Sequence, residues 1–185
     1  MIVQMKLPPQ TRVESFSPET MKSAAKVGQR AVLLDIRLRQ LNAADKGLLM
    51  SDEMRERTLL THSVHRDLES SSAVVSCGMR YEMAHSTPES MAEPPLIVEA
   101  VFVLTYKIAG LDEVLKQDLE AFAEVNGLFN AWPYWRELLS STVTRMGVLS
   151  PPAPTLRIRQ EPSKEAAARE VAAPTTSQSP TATSP

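Results

Sequence analysis

The sequence predicts an α+β fold built on an antiparallel β-sheet. Apolar and polar residues alternate in four segments between residues 32 and 108, which is the two-residue period of half-buried strands. After residue 110 the apolar residues recur every three or four positions, as they do along one face of a helix. Strands that come first and helices that follow are typical of α+β proteins, in which the sheet is antiparallel.

The chain is long enough for one domain with a buried core. It has 185 residues, and a chain of this length buries more than half of the surface that its unfolded form exposes. Residues 1–15 carry Pro8-Pro9 and predict a flexible leader, while residues 16–159 are the expected domain. Residues 160–185 are dominated by alanine, serine, threonine, glutamate and proline, which predicts a disordered tail.

One helix and four strands are expected in the first part of the domain. Ser17-Pro18-Glu19 combines an N-cap, a first-turn proline and an acidic residue, which predicts a helix that ends near Gln29. Between the first two strands a long loop is expected over residues 42–57, and a hairpin turn is expected at Glu69–Ser72. The fourth strand is rich in Val, Ile, Phe and Tyr, so it should be central. The four predicted strands are Val32–Arg39, Leu60–Leu68, Val75–Met83 and Leu96–Ile108.

Two helices, separated by a loop, are predicted after the sheet. Leu111, Leu115, Leu119 and Phe122 have helical spacing, and Gly127 is expected to end this first segment. A second helix is predicted with Pro133 in its first turn and its end at Gly147. Beyond Pro151-Pro152, residues Thr155–Arg159 are expected to be a short extended segment.

Composition disfavours nucleic-acid, membrane and extracellular roles. The formal net charge is -2 and the pI is about 6.0, so no strong positive field attracts anionic partners. Cys77 is the only cysteine, which excludes an internal disulfide and suits a reducing compartment. Residues 1–10 lack the apolar region of a signal peptide, and no apolar run is long enough to span a bilayer. We therefore expect a cytoplasmic protein that does not insert into membranes.

No motif in the sequence predicts an enzyme, a cofactor or a metal site. His65-Arg66-Asp67-Leu68 resembles the start of a protein-kinase catalytic loop, but Ser72 stands where the metal-binding asparagine would be. His62, His65 and Cys77 could suggest a metal, yet residues three apart on a strand point to opposite faces. A nucleophile elbow, a phosphate loop and a dinucleotide fingerprint are all absent.

An aromatic cluster surrounds Pro133. Both tryptophans of the chain lie in Trp132-Pro133-Tyr134-Trp135-Arg136-Glu137, and a Ser/Thr-rich helix, Met146-Gly147 and the Pro151-Pro152 pair follow. This element, placed after four strands and a helix, resembles the SecB family of export chaperones and solitary SecB-like chaperones. The resemblance covers Leu96–Ile158 and extends less closely to Val32–Tyr81.

The resemblance implies a four-stranded antiparallel sheet with helices on one face, assembled into dimers and a dimer of dimers. It also implies an ATP-independent holdase that binds unfolded or nascent polypeptides in apolar grooves, with no cofactor. Aromatic and methionine walls suit this activity because they accept many sequences. Arg136 and Glu137 would hold the second helix by local ion pairing. The client-binding residues expected by family position are Leu128, Phe129, Trp132, Tyr134 and Trp135, with Met79, Tyr81 and Met83 as weaker candidates.

The sequence also departs from export-type members of that family. Those members offer an acidic sheet surface to the translocase ATPase SecA, whereas this chain is nearly neutral and has arginines along its strands, at Arg37, Arg39, Arg66 and Arg80. SecA is thus a possible but disfavoured partner, and a dedicated client such as an antitoxin is favoured. The alternative hypothesis is a monomeric sheet-and-helix domain that binds one small apolar ligand.

Overall fold

A four-stranded antiparallel sheet organises the protein. The computed structural model describes residues 11–48, 54–85, 87, 90, 92–148 and 154–161. A first strand and helix, β1 (Thr11–Phe16) and α1 (Pro18–Gly28), precede the sheet. The sheet consists of β2 (Ala31–Asp45), β3 (Met54–Asp67), β4 (Ser72–His85) and β5 (Leu96–Ile108). Their order is β2-β5-β4-β3, so β4 and β5 are central, as predicted for the fourth strand.

The core lies between one face of the sheet and the helices. Every second residue of β4 from Ala73 to Met83 is buried, and the same holds for β5 from Leu96 to Ile108. The predicted alternation of both strands is therefore confirmed. Helix α1 begins as the sequence indicates, because the hydroxyl of Ser17 accepts a hydrogen bond of 3.1 Å from the backbone N–H of Thr20. The α+β fold class with an antiparallel sheet is confirmed.

The helical half of the protein has no loop in its middle. After a 3-10 turn at Leu111–Glu113 come α2 (Lys116–Phe122), a π-helical stretch at Ala123–Gly127 and α3 (Leu128–Arg145), each directly joined to the next. The prediction that Gly127 ends a helix was wrong. A Cβ on Gly127 would lie 2.8 Å from Cγ1 of Val75, so the glycine lets the helix approach the sheet closely.

Pro133 lies inside α3 and not in its first turn. A proline at an interior position removes one backbone hydrogen bond, here the one to the carbonyl of Phe129, but tertiary packing can retain the helix. The residues around Phe129, predicted as a loop, are helical. This difference decides the directions in which the aromatic side chains point.

The two ends of the described chain pair with each other. β6 (Thr155–Gln160) lies parallel to β1, in a register from Thr11 opposite Thr155 to Phe16 opposite Gln160. The extended segment predicted at Thr155–Arg159 is confirmed, and residues 11–15, which the prediction assigns to the leader, belong to β1. Residues 1–10 and 162–185 lie outside the described residues, so the rest of the leader and nearly all of the predicted tail stay predictions.

β2 and β3 extend into the predicted loop over residues 42–57, and only residues 46–53 separate them. β2 is an edge strand with irregularities between Leu33 and Asp35 and between Leu38 and Gln40, which shift its alternation. Its side chains are largely exposed, and Val32 is 62% accessible. The prediction of a half-buried first strand was therefore wrong about burial although right about the strand.

Candidate functional site

An apolar groove runs between α3, the edge strand β2 and the start of β6. Its volume is about 490 Å³. We call it the aromatic groove, because three of its lining residues are aromatic. It is lined by Leu33, Ile36, Phe129, Asn130, Trp132, Pro133, Tyr134, Arg136, Thr155 and Leu156. Three of the eight client-binding residues expected from the sequence, Phe129, Trp132 and Tyr134, thus meet at one place.

Phe129 and Tyr134 give the groove an exposed apolar rim. Their side chains are 57% and 49% accessible, which is unusual for large aromatic residues on a helix. Exposed apolar surface next to a cleft is a common mark of an interaction site. The two residues can contact a ligand without any rearrangement of the core.

Trp132 forms the inner wall of the aromatic groove. It is only 3% accessible, and its indole Nε1 donates a 2.9 Å hydrogen bond to the carbonyl of Pro154, directly before β6. The guanidinium of Arg12 lies over its ring, with Cζ at 5.8 Å from the centroid, which is within cation–π range. Trp132 therefore joins α3 to both terminal strands and also lines the groove.

Asn130 is held from the sheet side. Its Nδ2 donates a 3.0 Å hydrogen bond to the hydroxyl of Tyr106, and that hydroxyl lies 3.5 Å from the carbonyl of Asn126 in the π-helical stretch. Tyr106 also packs edge-on against Phe122, with ring centroids 4.9 Å apart. These contacts fix the start of α3, and with it the orientation of Phe129.

Leu128 and Met79 line a second cavity, which shares no lining residue with the aromatic groove. This second cavity has a volume of about 260 Å³ and a mixed lining that includes Glu14, Phe16, His62, Cys77 and Glu124. Burial raises the pKa of the Cys77 thiol to about 12, so the thiol stays protonated and unreactive. His62 and His65 point to opposite faces of β3, as the alternation predicts.

The remaining expected residues lie in the core. Trp135 is fully buried, and Tyr81 and Met83 are 3% and 1% accessible on the inner face of β4. Sequence reasoning missed the walls provided by Leu33, Ile36 and Leu156, because the shifted alternation of β2 and the pairing of β6 are not visible in local patterns.

The outer face of the sheet, away from the helices, carries a closed network of charges. Glu82 is buried between Arg57 and Arg80, and Arg80 also pairs with Glu99. Burial alone would raise the pKa of Glu82, but the hydrogen bonds from the two arginines outweigh it and hold the pKa below its usual range. Each carboxylate of this network therefore forms an ion pair with at least one arginine.

The other strand arginines have separate roles. Arg37 pairs with Asp35 at the exposed edge, with Nε and Oδ2 3.2 Å apart. Arg66 points to the helical side, where its Nη2 donates a 2.6 Å hydrogen bond to the carbonyl of Val114. Only some of the strand arginines thus contribute to the outer face of the sheet.

Other kinds of site find little support in the described part of the chain. No group of three or more His, Cys, Asp or Glu side chains is positioned to hold a metal ion within the described ranges. None of the helices described combines the length and the hydrophobicity that a membrane span requires. The aromatic groove is accordingly the best candidate site.

Solved structures include one with a similar architecture. It is the Mycobacterium tuberculosis SecB-like chaperone Rv1957, in complex with a ChAD peptide from the Rv1956 HigA1 antitoxin. The match has a TM-score of 0.62 and 21% sequence identity, and covers 74% of this chain and 96% of that one. The protein has a SecB-like fold. No protein-family model and no curated protein matches the sequence.

This SecB-like fold gives the aromatic groove its three walls. The four-stranded sheet supplies Leu33 and Ile36 from its edge, and the helix that crosses the sheet supplies the aromatic residues. The parallel pair of β1 and β6 supplies Leu156 as the third wall. The helices lie on one face of the sheet, as the family resemblance implied.

Proposed function

We propose that this SecB-like protein is an ATP-independent holdase whose aromatic groove binds apolar segments of non-native polypeptides. The observation that carries the proposal is the exposed pair Phe129 and Tyr134 at the rim of a groove with Trp132 as its inner wall. The solved SecB-like chaperone with a peptide in its complex supports a polypeptide as the ligand.

The chemistry of the groove suits many sequences. Burial of one large apolar side chain contributes about 2 kcal/mol, so several such residues of a client must be buried together to exceed the cost of association. The aromatic rings offer flat apolar surface that does not depend on a particular partner shape. Binding and release then need no nucleotide.

The eight residues expected from the sequence take different parts in the proposal. Phe129, Tyr134 and Trp132 contact the client in the aromatic groove, and Leu128 and Met79 line the smaller second cavity. Trp135, Tyr81 and Met83 act from the core by holding α3 and β4 in place. The function therefore depends on the first three most directly.

The proposed clients are dedicated polypeptides, of which antitoxins are one kind. The relative bound to an antitoxin peptide favours this class. The paired carboxylates of the outer sheet face favour a client role over docking to SecA, which would need an acidic surface. The proposed location is the cytoplasm, which suits a buried free thiol.

Self-association as a dimer of dimers is part of the same proposal. β2 is a long edge strand with exposed apolar side chains, and such strands pair readily with other chains. The exposed apolar residues of this strand are Val32, Leu33, Leu34, Leu38 and Leu41. Because β2 also lines the aromatic groove, assembly through its outer edge would border the groove with a second chain.

The proposal is tested by suppression of aggregation. A reduced, unfolded test protein is heated with and without the full chain in the absence of ATP, and light scattering is recorded. The wild type should suppress aggregation, and Phe129→Ser with Tyr134→Ser should weaken suppression severalfold. Leu68→Ser is the matched control, because Leu68 is also 57% accessible but lies in the β3–β4 turn.

Two outcomes would overturn the proposal. Either the wild type leaves aggregation unchanged, or Leu68→Ser weakens suppression as much as the groove variants do. Static light scattering of the chain alone provides the second measurement. A monomer that suppresses no aggregation would favour the alternative, a domain that binds one small apolar ligand.

A further inference from the structure

No strand of the described residues lies beside the outer edge of β6. Among the described residues, β6 pairs only with β1. The backbone N–H of Glu161 donates a 2.8 Å hydrogen bond to the carbonyl of Phe16, and backbone groups alternate sides along a strand. The N–H and C=O groups of Arg157 and Arg159 therefore face β1. Those of Leu156, Ile158 and Gln160 face the other way.

This unpaired edge lies at the aromatic groove. β1 is on the side of β3, because Nη1 of Arg12 donates a 3.1 Å hydrogen bond to the carbonyl of Thr58. β6 is on the other side, where Thr155 and Leu156 line the groove across from Leu33 and Ile36 of β2. The outward backbone groups of Leu156 thus lie at the groove, and those of Ile158 and Gln160 continue the same strand edge beyond it.

The charges around the groove are positive. Among the residues that the structure describes, no carboxylate lines it, and Arg136 is one of its lining residues. Arg157 and Arg159 are exposed on the outward side of β6 and form no ion pair with a described residue, and they outnumber the nearby Glu161. An occupant with acidic residues beside its apolar ones complements this pattern better than a basic one.

We infer that the groove binds its polypeptide as an additional, extended strand on the free edge of β6, and that the bound segment carries carboxylates next to its apolar residues. An added strand satisfies the backbone groups of Leu156, Ile158 and Gln160 and directs every second side chain toward Phe129 and Trp132. Backbone hydrogen bonds to the added strand give affinity for any sequence. The apolar walls and the arginines determine which polypeptide segment is bound. This inference rests on the proposed function and specifies how the same site works.

Amide hydrogen exchange tests the strand addition. The probe is a short peptide of alternating phenylalanine and threonine with glutamates at both ends, added in excess to the full chain and followed by NMR. Exchange at Leu156, Ile158 and Gln160 should slow by about tenfold or more. Arg157 and Arg159 are controls in the same strand, because their N–H groups already face β1. If the peptide binds but exchange does not slow at every second residue of β6, the inference is overturned and the holdase proposal is left intact.

Charge is tested with matched peptides. The same peptide with terminal lysines should bind about three- to tenfold more weakly than the glutamate version. The double variant Arg157→Gln with Arg159→Gln should remove most of this difference and leave an uncharged peptide unaffected. A lysine peptide that binds as tightly as the glutamate peptide would overturn the charge selection. If none of the peptides binds, the proposed function itself fails.

Discussion

Replacement of Gly127 by alanine tests how closely the helix approaches the sheet. The new Cβ would lie 2.8 Å from Cγ1 of Val75 and 3.0 Å from the Sγ of Cys77, which is shorter than normal van der Waals contact. Overpacking of this kind costs about 1 to 3 kcal/mol. Alanine gains about 1 kcal/mol over glycine in a helix, so Gly127→Ala should lower the free energy of unfolding by up to about 2 kcal/mol.

The assay is urea unfolding of the full chain, and the structure supplies two controls. Gly28, near the end of α1, is also helical, but its added Cβ meets only the side chain of Asn126 at 3.5 Å. Gly28→Ala should therefore be neutral or slightly stabilising. In a Val75→Ala background the penalty at Gly127 should shrink, since one of the two close contacts is gone. If Gly127→Ala is as stable as Gly28→Ala, the close approach of the helix to the sheet at Gly127 is refuted.

Three further predictions concern single side chains. Trp132→Phe removes the hydrogen bond to the Pro154 carbonyl and should lower stability by about 1 kcal/mol, measured by urea unfolding, with faster amide exchange in β6. Because the folded pKa of Glu82 is below its usual value, its contribution to stability is present above pH about 4.5 and is lost at lower pH as the carboxylate is protonated. Glu82→Gln should flatten the pH dependence of the urea midpoint in this acidic range, and an unchanged slope would contradict the pairing. Cys77 should react with a thiol reagent only as fast as the protein unfolds, since it is buried with a pKa of about 12; rapid reaction of the folded protein would contradict this.

The sheet could be predicted from the sequence wherever one face of a strand is buried without interruption. In β4 and β5 the inward residues alternate with outward ones for the whole strand, so the two-residue period is unbroken. In β2 the irregularities after Leu33 and Leu38 displace the pattern, and its exposed edge puts little constraint on which residues are apolar. The burial of that strand is for this reason not readable from its residues.

In the helical half, the sequence did not predict where the helices end or which way the aromatic side chains face. Gly127 and Pro133 usually mark helix ends, but here the glycine serves the contact with Val75 and the proline is retained inside α3. The aromatic cluster was visible in the sequence, yet its division into exposed Phe129 and Tyr134 and buried Trp135 depends on the helical phase. The phase could not be assigned while a loop was expected there.

The pairing of β1 with β6 sets the order in which the protein becomes complete during synthesis. The chain leaves the ribosome from its N-terminal end, so Thr11–Phe16 must wait until Thr155–Gln160 has been made before the two can pair. Until then the aromatic groove lacks the wall that contains Leu156, and the indole of Trp132 lacks the Pro154 carbonyl. A nascent copy therefore has no finished groove until residue 160 has been made.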